Sequence, residues 1–169
     1  QTLCSTGGDG NRGGTWSPDG TIVFSTGPGR TLSRVSSAGG QPSEFMRLAK
    51  GQTAYVSPWF LPDGRHLLFY ANATSNDVAG VYVGSLDAAE SERLAGADTA
   101  AVYDSQSGHL LFVRQGTLLA QPFDPKTLAL AGESFPIAER VESGLIFGVA
   151  AFAVSPKKLS PRRPRRSKN

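Results

Sequence analysis

The 169-residue chain contains few residues that could hold a metal: one cysteine, Cys4, and two histidines, His66 and His109. A single cysteine excludes an intrachain disulfide framework. A zinc site needs three or four convergent ligands, and this supply is too thin for one. We therefore expect no metal site and no cofactor. No apolar run approaches the roughly 18 residues of a membrane span, and no charged start with an apolar segment follows Gln1, so the compartment stays open.

Catalytic motifs are also lacking. The sequence has no G-x-S-x-G elbow, and Ser85 in "VGSLD" resembles one only superficially. The valine-containing Gly-rich loop, β3 lysine, His-Arg-Asp and Asp-Phe-Gly elements of a kinase are absent as well. We therefore expect no enzymatic activity in this chain.

The formal net charge of +3 comes from the C-terminal tail. Residues 157–169 carry seven positive and no negative side chains, whereas residues 1–156 carry ten positive and 14 negative ones. The basic tail is predicted to be disordered by its composition. Because the remaining chain is acidic overall, the basic pI gives no reason to expect specific nucleic-acid binding.

A repeat organises the sequence. "TWSPDGTIVFST" begins at Thr15, "WFLPDGRHLLFYA" at Trp59 and "VYDSQSGHLLFVR" at Val102, and their turn glycines are 44 residues apart. Each unit continues with a second strand–turn–strand segment, such as "LSRVS" or "VYVGSL". A period of about 40–45 residues with four short strands is typical of a β-propeller blade. A β-sandwich and a β-barrel are the rival folds, but neither requires a fixed period.

The predicted architecture is all-β, with about three four-stranded blades in an incomplete propeller. Residues 1–12 are predicted to be the end of a preceding blade with a linker. Blades 1, 2 and 3 are predicted at residues 13–54, 55–100 and 101–149. A further blade is predicted to start at residues 150–156, and the tail covers residues 157–169.

Residues of the repeat have two predicted structural roles. Pro-Asp-Gly suits a tight turn, since Pro presets φ, Asp bonds nearby backbone and Gly accepts a positive φ. The turn residues are Pro18, Asp19, Gly20, Pro62, Asp63, Gly64 and Gly108. Aromatic side chains are expected to pack between blades. The packing residues are Trp16, Phe24, Trp59, Phe69, Tyr82, Phe112 and Phe123.

The spacing of Gly8, Gly10 and Gly13 matches the dinucleotide fingerprint G-x-G-x-x-G. That site requires a helix directly after the glycines, but "TWSPDG" follows and contains a proline turn. We interpret the stretch as a glycine-rich connection between blades.

"WSPDGTIVFS" and "FLPDGRHLLFY" resemble the PD40 form of the WD40-like repeat in TolB-like propellers. The resemblance spans nearly all of residues 3–156 and extends to the C-terminal propellers of large bacterial proteins, many with a serine/threonine kinase domain. No repeat ends in Trp-Asp, and Gly108-His109 falls in a turn, so the chain is not an ordinary WD40 array. Propellers have roughly four to eight blades. We therefore expect missing blades to come from the same parent chain or from self-association.

The resemblance implies a non-catalytic interaction or sensor module for a protein or peptide ligand, with the cell envelope as the favoured compartment. The alternative is a gating-propeller fragment of a prolyl-oligopeptidase-type serine hydrolase, which similar repeats also form. Loop length alone places the contact surface at Gly27–Arg30, Ala49–Thr53 and Ala73–Ala79.

Overall fold

The structure is a computed structural model that describes residues 13–26, 31–144 and 149–150. Within these ranges every regular element is a β-strand. Short runs rich in β-branched and aromatic residues form the strands, and glycine and proline separate them. The predictions for residues 1–12, including the glycine spacing before Gly13, for the loop at 27–30 and for 151–169 lie outside the described residues.

Three antiparallel sheets follow one another along the chain, each with its first four strands adjacent in sequence order. The first sheet contains β1 (Gly14–Trp16), β2 (Thr21–Thr26), β3 (Thr31–Ser36) and β4 (Ser43–Met46). The second contains β5 (Gln52–Phe60), β6 (His66–Ala73), β7 (Gly80–Ser85) and β8 (Ser91–Ala95). The third contains β9 (Val102–Asp104), β10 (His109–Arg114), β11 (Thr117–Asp124), β12 (Ala129–Leu130) and β13 (Phe135–Ala138).

The third sheet departs from the four-strand pattern at its outer edge. Both β12 and β13 pair with β11, one at each end of that strand. A separate short hairpin joins β14 (Ser143–Gly144) and β15 (Val149–Ala150). The described residues thus form an all-β chain of consecutive four-stranded antiparallel units.

Aspartate side chains stabilise the turns that join the first two strands of each sheet. Asp19 Oδ1 accepts the Thr21 N–H at 2.9 Å, and Asp63 Oδ1 accepts the Arg65 N–H at 3.0 Å. The turn glycines have φ values of 90° at Gly20, 68° at Gly64 and 72° at Gly108. This left-handed backbone disfavours a side chain, which explains the 44-residue recurrence of glycine.

The apolar residues that alternate along the strands pack between neighbouring sheets. The core between the first and second sheets contains Val23, Leu32, Met46, Tyr55, Phe60, Leu67, Phe69, Ala71 and Tyr82. The core between the second and third sheets contains Leu61, Leu68, Val81, Val83, Ala95, Ala97, Ala101, Leu110, Phe112 and Phe123. Each face of the second sheet is therefore covered by a neighbour, as face-to-face stacking of sheets requires.

The two tryptophans are more exposed than the other predicted packing residues. Trp16 is 62% exposed and Trp59 is 46% exposed. The other five predicted aromatic residues are buried, namely Phe24, Phe69, Tyr82, Phe112 and Phe123. Thr15 points toward the second sheet, because its Oγ1 accepts the Phe60 N–H at 3.1 Å. Strand alternation then turns Trp16 to the opposite face.

Trp59 pairs with Leu68 and shares its face of the second sheet. Leu68 is fully buried in the core shared with the third sheet, whereas Trp59 on the same face stays 46% exposed. The sequence pattern predicts both tryptophans as packing residues because strand alternation does not show how far a neighbouring sheet covers a face.

The close approach of the second sheet explains why residue 13 is a glycine. Its φ is 102°, and a Cβ at this position would lie 2.9 Å from the Cα of Ser57. Ser57 itself lies at a register shift in β5 between Val56 and Trp59. The last glycine of the predicted connection thus permits the first sheet to approach the bulged strand of the second.

Candidate ligand-binding surface

The connections of the three sheets separate into two ends. One end, which we call the turn end, carries the Asp-Gly turns and the links from third to fourth strands, at 17–20, 37–42, 61–65, 86–90, 105–108 and 125–128. The other, the loop end, carries links at 47–51, 74–79, 96–101 and 115–116. The order of antiparallel strands is the same in each sheet, so connections of the same kind lie at the same end.

Two of the three loops predicted as a contact surface lie together at the loop end. The Thr74 N–H donates to the Gly51 carbonyl oxygen at 3.2 Å. A Cβ on Gly51 would lie 3.6 Å from a methyl group of Val78. The structure thus brings Ala49–Thr53 and Ala73–Ala79 together, and the third predicted loop, Gly27–Arg30, lies outside the described residues.

Buried polar side chains hold the first of these loops. Gln52 Oε1 accepts the Ala49 N–H at 2.7 Å and lies 2.6 Å from the Tyr55 hydroxyl oxygen. The same hydroxyl lies 2.9 Å from the Arg47 carbonyl oxygen. Burial raises the pKa of the Tyr55 phenol, so the hydroxyl keeps its proton and can donate it. The loop is therefore positioned by a satisfied polar network.

A cavity of about 260 Å³ lies at the loop end between the second and third sheets. Its lining includes Tyr70, Asn76, Ala97, Asp98, Arg114 and Gln115. The first two come from β6 and the loop after it, the next two from the link between the sheets, and the last two from the β10–β11 hairpin. Sequence reasoning had identified only the loop that contains Asn76.

The walls of this cavity are fixed by hydrogen bonds. The Arg93 Nη2 donates to the carbonyl oxygens of Asn76 at 3.1 Å and Ala79 at 2.7 Å. The Tyr70 hydroxyl donates to the Ala97 carbonyl oxygen at 3.1 Å. Burial first, and the Asp98 carboxylate second, raise the pKa of Tyr70, so the phenol remains a proton donor. The cavity is thus formed before any ligand arrives.

A shallower groove of about 300 Å³ at the turn end is lined by Ser85 and His66. His66 Nδ1 lies 2.5 Å from Asp63 Oδ2, and His66 is the cross-strand partner of Ser85. Sequence reasoning treated these residues separately. The β6–β7 register, with Ala71 opposite Gly80, places His66 opposite Ser85, and loop length alone does not give that register.

The backbone N–H groups that follow Ser85 already donate hydrogen bonds. Its Oγ accepts the Asp87 N–H at 3.2 Å. The Leu86 N–H donates to the Arg65 carbonyl oxygen at 3.0 Å, and the Ala88 N–H to the Ser85 carbonyl oxygen at 3.4 Å. These three N–H groups cannot form an oxyanion hole without breaking their bonds.

No group of three or more His, Cys, Asp or Glu side chains within the described ranges is arranged to hold a metal ion. In the same residues, no helix has the length and apolar character needed to cross a membrane.

Comparison with known proteins supports the fold. No family model matches the chain, and no curated protein sequence matches it. A chain in the crystal structure of a nidogen/laminin complex is similar, with a TM-score of 0.57 and 13% identity over 76% of this chain and 48% of that chain. The chain thus spans about half of that chain's length. The nidogen structure contains a β-propeller, so the likeness supports an all-β, propeller-like arrangement of sheets.

Proposed function

We propose that the chain is a non-catalytic β-propeller segment that binds a protein or peptide ligand as a module of a larger bacterial protein. The observation that carries this proposal is the convergence of connections from two sheets on a cavity with hydrogen-bonded walls at the loop end. Binding residues commonly lie on loops that a rigid scaffold positions. The repeat residues further support a relationship to TolB-like propellers and to the propellers of kinase-type proteins.

The three sheets are three blades of one propeller in this proposal. Register pairs place Trp16 opposite Ile22, Phe60 opposite Leu67 and Tyr103 opposite Leu110. The three aromatics therefore occupy one position of the repeat. Phe60 packs in the core against the first sheet, and Tyr103 packs against the core shared with the second sheet. By the same rule, the Trp16 face would contact a preceding blade from the parent chain or from another copy.

A protein partner is supported by the comparison as well. The similar structure is a complex of nidogen with laminin, which is an association between proteins. For this chain we propose the same class of partner only, because the likeness concerns the fold.

The serine–histidine–aspartate neighbours are structural in this proposal. Asp63 serves the turn by accepting the N–H groups of Arg65 and His66, each at 3.0 Å. The Ser85 hydroxyl accepts a backbone N–H, and its neighbouring amides are bonded elsewhere. Hydrolysis of p-nitrophenyl acetate should match the uncatalysed rate; saturable turnover that disappears in Ser85→Ala would contradict the non-catalytic assignment.

A peptide-display selection on the folded chain tests the binding function. Selected peptides should lose affinity for Asn76→Trp, which fills the mouth of the cavity. They should keep affinity for Ser105→Trp, which places the same bulk on an exposed residue of the turn end. Equal loss in both variants, or loss in the Ser105 variant alone, would contradict a loop-end binding surface.

A further inference from the structure

Arg114 differs from its equivalents in the other two sheets. It ends strand β10, and the corresponding residues at the ends of the matching runs are Thr26 and Ala71. Ala71 is fully buried in the core between the first and second sheets. A site specific to one unit of a repeat requires residues that the other units lack. Arg114 is such a residue, and it lines the loop-end cavity.

The Arg114 side chain is held in one orientation. Its Nε donates to the Gly96 carbonyl oxygen at 2.7 Å. Its Cζ lies 5.3 Å from the centroid of the Phe112 ring, a cation–π geometry. Nε and one face of the guanidinium group are therefore occupied, while neither Nη group bonds to another residue of the described ranges.

The charge of Arg114 is not paired inside the described part of the chain. No Asp or Glu oxygen there lies within 4.0 Å of its nitrogens, and its Nη atoms have no hydrogen-bond partner among the same residues. The acidic lining residue Asp98 uses Oδ2 to accept the Gln115 N–H at 2.5 Å. Arg93, close by, also donates to backbone carbonyls.

A guanidinium group with two free Nη groups matches the two oxygens of a carboxylate in a planar, bidentate pair. Because Nε and the ring already fix its plane, little side-chain freedom is lost when a ligand binds. The neighbouring Asn76 and Asp98 add acceptors for the N–H groups of a peptide backbone.

We infer that the loop-end cavity binds a carboxylate-bearing peptide, with Arg114 as the group that pairs with the carboxylate. This inference rests on the proposed binding function and names its ligand chemistry. The carboxylate has two sources, an Asp or Glu side chain or a free peptide C-terminus.

The experiment uses three short peptides and ¹⁵N NMR spectra of the chain. Acetyl-Gly-Asp-Gly-amide offers a side-chain carboxylate, acetyl-Gly-Gly-Gly with a free C-terminus offers a terminal one, and acetyl-Gly-Asn-Gly-amide offers neither. One of the two carboxylate peptides should shift the amide signals of Ala97, Asp98 and Gln115 at about millimolar concentration. The peptide that causes the larger shifts identifies the source of the carboxylate. The Asn peptide should leave these signals unchanged.

Variants assign the effect to Arg114. Arg114→Met keeps an unbranched apolar stem and should abolish the shifts, while Arg114→Lys should weaken binding about tenfold. Arg65→Met is the matched control and should leave the shifts unchanged, because Arg65 lies at the turn end and its side chain is 66% exposed. Thermal unfolding of each variant establishes that it is folded. If Arg114→Met does not fold, the Arg114→Lys affinity decides the question.

Shifts that persist unchanged in folded Arg114→Met, or an equal response to the Asn peptide, would overturn the inference. Its failure can be separated from failure of the proposed function. Display-selected peptides that bind at the loop end without any dependence on a carboxylate or on Arg114 would overturn the carboxylate inference and leave the binding module standing.

Discussion

The Ser17 hydroxyl donates a hydrogen bond of 2.8 Å to the carbonyl oxygen of Gly64, 47 residues away. This bond joins the Asp-Gly turn of the first sheet to the equivalent turn of the second, and Ser17 is buried. A Cβ added to Gly64 would lie 2.8 Å from the same Ser17 Oγ and 3.1 Å from Pro18 Cδ. The turns of neighbouring sheets therefore pack against each other directly.

Gly64→Ala should destabilise the chain more than Gly108→Ala. The two glycines share a turn position and have nearly equal φ values, 68° and 72°. A Cβ on Gly108 would meet nothing within 4 Å. We expect about 1–2 kcal/mol from backbone strain in Gly108→Ala and about 1–3 kcal/mol more in Gly64→Ala from the added clash. Urea unfolding of both variants measures the difference, and equal losses would show that the turn contact contributes nothing.

Stability should fall as the pH decreases through the acid range. The Thr21 N–H lowers the pKa of Asp19, the Ser107 hydroxyl that of Asp104, and the Lys126 N–H that of Asp124. At Asp63, partial burial raises the pKa, but the hydrogen bonds from His66 and Arg65 lower it overall. A folded pKa below the unfolded value of 3.8 stabilises the native state above pH 3.8, and that stabilisation is lost as the pH falls through the folded pKa.

Urea midpoints measured from neutral pH down to the acid limit of folding check this dependence. Asp104→Asn should flatten the acid limb, because it removes one of the titrating turn carboxylates. Thr53→Ala, at an exposed residue that does not titrate, should give a curve parallel to the parent. An Asp104→Asn curve that is also parallel to the parent would contradict the role assigned to this carboxylate.

Gly84→Ala should destabilise the interface between the first two sheets in a way that depends on Met46. A Cβ on Gly84 would clash with Met46 Cε and would lie 3.3 Å from Phe69 Cε1. Met46 is fully buried, so its terminal methyl group has little room to move. The substitution should cost about 1–3 kcal/mol in the parent and less in a Met46→Ala background. Additive effects in the double-mutant cycle would contradict direct packing of these residues.

The 44-residue repeat predicted an all-β chain of four-stranded units because turn glycines and alternating strands are local features of sequence. The pairing His66↔Ser85 was not foreseen, since it depends on the register between β6 and β7. In the third repeat, the sequence indicates the turn only through Gly108. The carboxylate of this turn comes from Asp104, which accepts the Gln106 N–H at 3.0 Å from the first position of the turn. In the first two turns the aspartate directly precedes the glycine, so the shift hid the equivalence.

The candidate site was only partly predictable. Loop length identified Ala73–Ala79 but gave no reason to single out Arg114 or Asp98, which lie at a strand end and in a short link. Their joint presence in one cavity depends on how the second and third sheets stack. The exposure of Trp59 could not be predicted for the same reason, because cover by a neighbouring sheet is a tertiary property.

The central claim, that the loop end is the binding surface, is tested most directly by amide hydrogen exchange on the complex with a display-selected peptide. We predict slowed exchange at residues 47–51, 74–79, 96–98 and 114–116, with the turn end unchanged. Slowed exchange confined to the turn end, at residues 17–20, 61–65 and 105–108, would contradict the claim.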